Sequence, residues 1–210
     1  MNNEVKVTHT LADPSPYGLF GLAVITFVAS TQKLGITTGV SGLIPWAIFL
    51  GCIPQFVAAI VDFKKDNVFG ATVFGSFGLF WFAVAVVWLI SVGVFGEDMK
   101  NTLDMKQFGV VCVAYLFLVV PLTFGAAEAH KVLFFIFIAV DVLLVAMALN
   151  YFGIAPKETQ LVAGISELAA ALIGFYGCAA GVLNKNLGRV SITCWKTARN
   201  IQKIVYIVYF

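Results

Sequence analysis

The side chains best placed to do chemistry in this chain are a few ionisable and amide groups set inside long apolar stretches. Asp141 stands in the middle of the apolar run 132–152, Glu167 in the first third of the run 161–183, and Glu128 in a Gly-Ala segment just before 132. An ionisable group near the centre of a bilayer costs about 2.5 to 3.5 kcal/mol on insertion scales, so such groups face protein or water and mark pathways for protons and polar solutes. Asp141 therefore reads either as a proton site or polar pore lining, or as a carboxyl hydrogen-bonded to a neighbouring helix. Glu167 carries the same two readings at shallower depth. Gln55 follows Pro54 inside another apolar run. That pairing sets an amide beside a break in the backbone ladder, either as a solute-binding point or as a partner for the carbonyl the proline releases. Tyr176 adds a hydroxyl on the run that holds Glu167 and completes the polar pathway candidates. Glu128 and His130 fall near a span's end, where solvation accounts for them, and His130 is a lone imidazole beside Lys131.

The groupings of hydrolytic, redox or metal chemistry are missing. There is no nucleophile with a matching base, no His/Cys metal spacing and no glycine-rich phosphate loop with a lysine, so neither catalysis nor a metal or cofactor is expected. Cys52, Cys112 and Cys178 lie inside apolar runs and Cys194 near the C-terminal end; a thiol in such a run behaves as a small hydrophobe. The formal net charge of +2 is too small to argue for nucleic acid. Transport or conduction needs none of these features.

The elements that must position the candidates follow from composition. Of the 210 residues, 60% are hydrophobic and 11% charged, with a mean hydropathy of +0.96, against roughly 25% charged in a soluble domain. Apolar runs near 17–30, 43–61, 69–95, 108–124, 132–152 and 161–183 approach the length of about twenty residues that spans a bilayer. The expected fold is an all-α integral membrane protein with six transmembrane helices forming one bundle around a central pathway. Residues 1–12, without the features of a cleaved signal peptide, read as a cytoplasmic leader, 13–189 as the transmembrane domain, and 190–210 as a basic and aromatic tail, interfacial or disordered. Pro54 predicts a kink near 53–55 and Pro121 an interruption late in the run 108–124.

Small residues at four-residue spacing, such as Ala170, Gly174 and Cys178, or Gly177 and Gly181, favour close helix packing or leave room in a pore wall. Lys6, Lys64, Lys65, Lys131, Lys185, Arg189, Lys196, Arg199 and Lys203 share one side of a six-span topology, nine against the four of Lys33, Lys100, Lys106 and Lys157. Both termini are therefore expected in the cytoplasm, with the protein multi-pass in the plasma membrane.

Three stretches carry a family likeness. Asp13-Pro14-Ser15-Pro16-Tyr17-Gly18-Leu19 resembles the N-terminal motif Asn-Pro-Ala-Pro-Leu-Gly-Leu of the acetate uptake transporter family, the succinate-acetate permeases. Asp62 to Gly70 continuing to Ser76-Phe77-Gly78-Leu79-Phe80-Trp81, and Gly181-Val182-Leu183-Asn184 continuing to Leu187-Gly188-Arg189, follow in family order and spacing. The likeness spans about 13–189. It implies a carrier or channel for acetate and related monocarboxylates, in some members succinate, assembled as a homo-hexamer with one pathway per subunit. It also implies an apolar ring narrowing that pathway, which alignment assigns to Leu22, Phe77, where relatives often carry tyrosine, and Val140. Asp13 and Tyr17 depart from the family motif.

The physics of the solute agrees with such a route. A carboxylic acid with a pKa near 4.3 is almost wholly ionised at neutral pH, so its diffusion through lipid falls as pH rises and a protein path becomes useful. Polar vestibules would hold the carboxylate, and a narrow apolar ring would pass a methyl-sized body. The expected function is transport of acetate and similar short carboxylates, proton-linked, with lipid, substrate and protons as partners. A passive acetate channel and an acetate sensor that moves nothing are the alternatives.

Overall fold

Long runs of Val, Leu, Ile and Phe have no polar partners to offer their own backbone, so in lipid they must close their hydrogen bonds internally, as helices. The computed structural model describes residues 11–188, which contain helices and no strand. The chain runs through α1 (Ser15–Lys33), α2 (Ile44–Trp46), a π-helical segment Ala47–Cys52, α3 (Ile53–Lys64), α4 (Val68–Ser91), the short α5 (Glu97–Thr102), α6 (Met105–Ala129), α7 (Lys131–Tyr151) and α8 (Pro156–Asn186). The expected leader, except for its last two residues, and the tail lie outside the described residues.

Among the described residues, five helices are long and apolar enough to cross a membrane: Ile44–Lys64, taking α2, the π segment and α3 as one, then α4, the stretch Met105–Ala127 of α6, α7 and α8. The expected all-α membrane bundle therefore forms. Helix α1 has 19 residues, about 28 Å at 1.5 Å per residue, but the polar ends Ser15-Pro16-Tyr17 and Thr31-Gln32-Lys33 dilute its hydropathy. It is nonetheless deeply embedded, with Leu19, Ala23, Ile25, Thr26 and Ser30 all buried.

Helix α1 packs against α3 and α8, α8 against α7, α7 against α6, and α3 against α4. Aromatic contacts close the ring between α4 and α6. The Phe80 ring lies 4.8 Å from that of Tyr115 and 5.9 Å from that of Phe108, and the Tyr115 hydroxyl donates to the Ser76 carbonyl at 3.0 Å.

The second span changes its helical geometry next to Pro54. Pro54 brings no N–H to the ladder, and the helix widens into π geometry over Ala47–Cys52 just before it. Gln55 Nε2 donates to the Gly51 carbonyl at 2.6 Å, one position beyond the Leu50 carbonyl that an α-helical ladder would leave free at Pro54. The Leu50 carbonyl instead faces Gly21 of α1, where an added Cβ would run into it and stand 2.9 Å from Pro54 Cβ. A bare glycine lets α1 cross the irregular turn at contact distance, which is how helices gain van der Waals attraction when lipid supplies no hydrophobic drive. Gly174, Gly177 and Gly181 serve packing in the same way, against Ala23, Val132 with Leu19, and Pro16.

Pro121 does not interrupt its helix. Helix α6 continues through it to Ala129 and breaks at His130, whose extended backbone separates α6 from α7. The Gly-Ala segment holding Glu128 is thus the helix's last turn. The polar connection 96–106 also forms α5, and α8 begins earlier and ends later than its apolar run, at Pro156 and Asn186.

Candidate functional site

Three helices, α1, α4 and α7, face a common space and contribute residues to it in the same order of levels. Along α1 the order is Leu19, Leu22, Thr26, Lys33; along α4 it is Val73, Phe77, Phe80, Val84, Trp88, Ser91; along α7 it is Leu133, Ile136, Val140, Leu144, Met147, Tyr151. The first members line a small cavity of about 10 Å³, together with Gln55, Phe74 and Phe137. That is room for about one water. The later members line a cavity of about 350 Å³, within the size range of small-molecule sites.

Leu22, Phe77 and Val140 are the residues common to both linings. All three are buried, and they stand where the two spaces meet. Phe77 is held by aromatic neighbours, with its ring edge-on to Phe80 at 6.5 Å and tilted against Tyr115 at 6.0 Å. The residues that alignment singled out on three separate helices thus come together at one level, with apolar surface on every side.

Charge enters the large cavity at its far end. Lys33 and Glu167 are the charged residues on its lining, and Lys33 Nζ donates to Glu167 Oε2 at 2.9 Å. Thr26, Gln32, Ser91, Asn150, Tyr151 and Gln160 add polar groups to the same wall. The level of Leu22 to that of Lys33 spans eleven residues of α1, about 16 Å of helix rise. An apolar neck therefore opens into a vestibule that grows polar with distance.

The remaining candidates are placed elsewhere. Asp141 lines neither cavity. Its Oδ2 accepts from Thr123 Oγ1 of α6 at 2.7 Å, and it borders an apolar groove on the outer side of α6, α7 and α8 lined by Leu116, Val120, Val145 and Leu149. The interhelical hydrogen bond, one of the two readings for this carboxyl, is formed through Oδ2. Tyr176 is exposed on α8 and also lies off both cavities. Gln55 does reach the small cavity.

The N-terminal motif acts as a joint. Asp13 Oδ1 accepts from the Ser15 backbone N–H at 3.0 Å and its hydroxyl at 2.8 Å, and Pro14 caps α1. Pro16 packs where a Cβ on Gly181 would come within 2.7 Å of its ring, and Gly18 leaves room for the Phe74 ring, 2.5 Å from where a Cβ would sit. Tyr17 is exposed. None of these five residues lines a described cavity.

Sequence reasoning missed Lys33, which was counted only as a topology signal. The available clue was Glu167 itself, since ionisable groups in apolar runs often pair with one another, and Lys33 ends a helix on the same side.

Known proteins are similar to this chain in sequence and in fold. A sequence model of the GPR1/FUN34/yaaH family matches residues 2–196. The chain is 30% identical over 182 residues to the succinate-acetate/proton symporter SatP of Escherichia coli (strain K12), covering 85% of this chain and 93% of that one. It is 25% identical over 187 residues to acetate permease A of Emericella nidulans, covering 83% of this chain and 63% of the longer fungal protein. A solved structure of the bacterial acetate channel SatP superposes with a TM-score of 0.81 at 25% identity, over 88% of this chain and 99% of that one. These names describe permeation rather than catalysis, in keeping with a sequence that carries no catalytic grouping. With its three motif stretches in order and a family match over nearly its whole length, this chain belongs to the GPR1/FUN34/yaaH family, a family of membrane transporters and channels.

Proposed function

We propose that this protein carries acetate and related short monocarboxylates, with succinate as an extended substrate, through the space bounded by α1, α4, α7 and α8. The observation that carries this reading is the sharing of Leu22, Phe77 and Val140 between the two cavities. A solute moving along the bundle has to pass those three side chains. An apolar neck suits acetate, whose methyl group gains contact there while its carboxylate is received by polar groups beyond. A heavily hydrated inorganic ion gains nothing in the neck that offsets its lost water. Similarity to proteins named for acetate transport supports the substrate.

In this reading α1 is the sixth span, residues 13–189 form the transport domain, and both termini face the cytoplasm of a cell whose plasma membrane holds a homo-hexamer with one pathway per subunit. Gln55 and Glu167 are the polar groups assigned to the pathway; Asp141 and Tyr176 are assigned to helix packing and the outer surface, and Asp13 to Gly18 to the joint between α1, α4 and α8.

Transport is proposed to be proton-linked. A passive acetate channel is the second reading, favoured by the likeness to a structure described as a channel. Internal pH recorded during acetate uptake into proteoliposomes separates the two. Acidification of the lumen in step with labelled acetate, beyond what protein-free vesicles show, supports coupling, and an acetate current without it supports the channel.

A further inference from the structure

The large cavity holds an ion pair that a metabolite transporter would be expected to avoid unless it were used. Burying two charges costs more than their attraction returns in many proteins, and an apolar pair of the same volume packs as well or better. Here the pair sits on the wall of the cavity through which, in the reading above, the substrate moves. We propose that Lys33 is the carboxylate-binding cation of this cavity, and that Glu167 occupies its ammonium group until the substrate's carboxylate takes that place and a proton neutralises Glu167.

The geometry supports this in three ways. Lys33 is the last residue of α1, where the negative end of the helix favours a cation. Its stem is laid against α8 by Gly164, where a Cβ would come within 3.2 Å of Lys33 Cβ, and its carbonyl accepts from Gln160 Nε2 at 3.2 Å. The side chain is thus held from both ends of its backbone contact and aimed along α8 at Glu167. The Lys33 side chain also keeps 15% of its surface exposed against 2% for Glu167, so of the two residues on this lining the lysine is the more open to a solute in the cavity. A lysine offers three donors, and the hydrogen bond described for its Nζ goes to Glu167.

The chemistry of the exchange fixes its proton count. Acetate presents the same two-oxygen anion that Glu167 presents, so it competes for Nζ as a close mimic. A displaced Glu167 carboxylate would be left buried with no countercharge, which is strongly unfavourable. A proton taken onto its Oε2 removes that penalty. The cavity then passes from Lys⁺ with Glu⁻ to Lys⁺ with acetate⁻ and neutral Glu, so one anion and one proton enter together and the net charge is unchanged. The groups facing the pair from the packed helices do not supply a competing charge. Helix α7 presents Tyr151, with Cys112 of α6 close behind it, and both are ordinarily neutral below about pH 8. Helix α4 presents Phe77, Phe80, Trp81 and Trp88 to the cavity. This inference rests on the acetate-path reading, and it makes that path selective for anions by a single residue.

The test is acetate binding to the purified full-length protein in lipid nanodiscs by calorimetry, with proton uptake followed by a pH indicator in weak buffer. The bound state carries the extra proton, so wild-type binding should tighten as pH falls, with about one proton taken up per acetate. Glu167→Gln should bind acetate about tenfold tighter at neutral pH, within the range of coupling between linked sites, with neither pH dependence nor proton uptake. Lys33→Gln should weaken binding by a similar factor. If an unpaired lysine loses its own proton, the double variant Lys33→Arg/Glu167→Gln keeps the cation charged and should recover tight, pH-independent binding. Wild-type binding without proton uptake, unchanged affinity in Lys33→Gln, or a double variant no tighter than wild type would each overturn the proposal. Flux in proteoliposomes tells the two claims apart. Acetate flux that persists with all variants behaving as wild type sinks the site and leaves the path; Lys33-dependent binding with no flux sinks the path and leaves the site.

Discussion

Replacing Phe77 by alanine should join the two cavities and relax size selection. The Phe77 ring is buried at 7% exposure and occupies the level where a space of about 10 Å³ meets one of about 350 Å³. Its removal frees a volume approaching that of a benzene molecule, which fits a cavity of about 150 Å³. That is far more than the extra methyl and hydroxyl that distinguish lactate from acetate. An apolar pocket discriminates by about 10- to 200-fold per methylene-sized difference, so the ratio of lactate to acetate uptake should rise about tenfold or more. Competition of unlabelled lactate against labelled acetate in proteoliposomes measures that ratio directly. The fold should survive. A core Phe→Ala change costs about 3 to 5 kcal/mol, and the lower figure applies where the ring already borders open space. A melting curve in detergent accompanies the flux assay. An unchanged lactate-to-acetate ratio in both Phe77→Ala and Val140→Ala, with folded protein, would refute the assignment of the neck.

Two further substitutions probe the parts around the path. Gly21→Ala places a methyl group against the Leu50 carbonyl and 2.9 Å from Pro54 Cβ; neither backbone nor proline ring can swing away, so the cost should be about 1 to 3 kcal/mol, read as a lower melting temperature. Asp141→Asn keeps an oxygen for the Thr123 hydroxyl and touches neither cavity, so acetate uptake and its proton dependence should stay within about twofold of wild type; a large loss would return Asp141 to the pathway.

The sequence carried the helices well because the bilayer leaves so little choice. An apolar run of about twenty residues has to be a helix, and the polar residues 65–67 fall between two of them. It carried the neck less directly. Leu22, Phe77 and Val140 are ordinary apolar residues in apolar helices, and nothing in their own surroundings marks them; their meeting depends on the register between helices far apart in the chain. Only likeness to a family pointed to them.

Proline misled in one place and not in another. Pro54 lies just past a π segment and borders a glycine crossing, whereas Pro121 sits within a helix that continues past it. The difference lies in the neighbours, which a linear reading does not contain. Asp141 and Glu167 show the same limit. Each is a carboxyl in an apolar run, yet one is turned toward Thr123 beside an outer groove and the other toward Lys33 inside the cavity. Which way a helical side chain faces is set by rotation about the helix axis, and the nearly uniform hydrophobicity of α7 gives no polar face from which to read it.

The central claim is that a small organic acid crosses the membrane through the neck formed by Leu22, Phe77 and Val140. The most direct measurement is labelled acetate entry into liposomes containing the purified protein, compared with protein-free liposomes of the same lipid across a range of imposed pH gradients. Saturable acetate entry well above the lipid background is expected, reduced by competing short carboxylates and retained near neutral pH, where the acid is almost wholly ionised. Entry no faster than in protein-free liposomes at every gradient would contradict that claim.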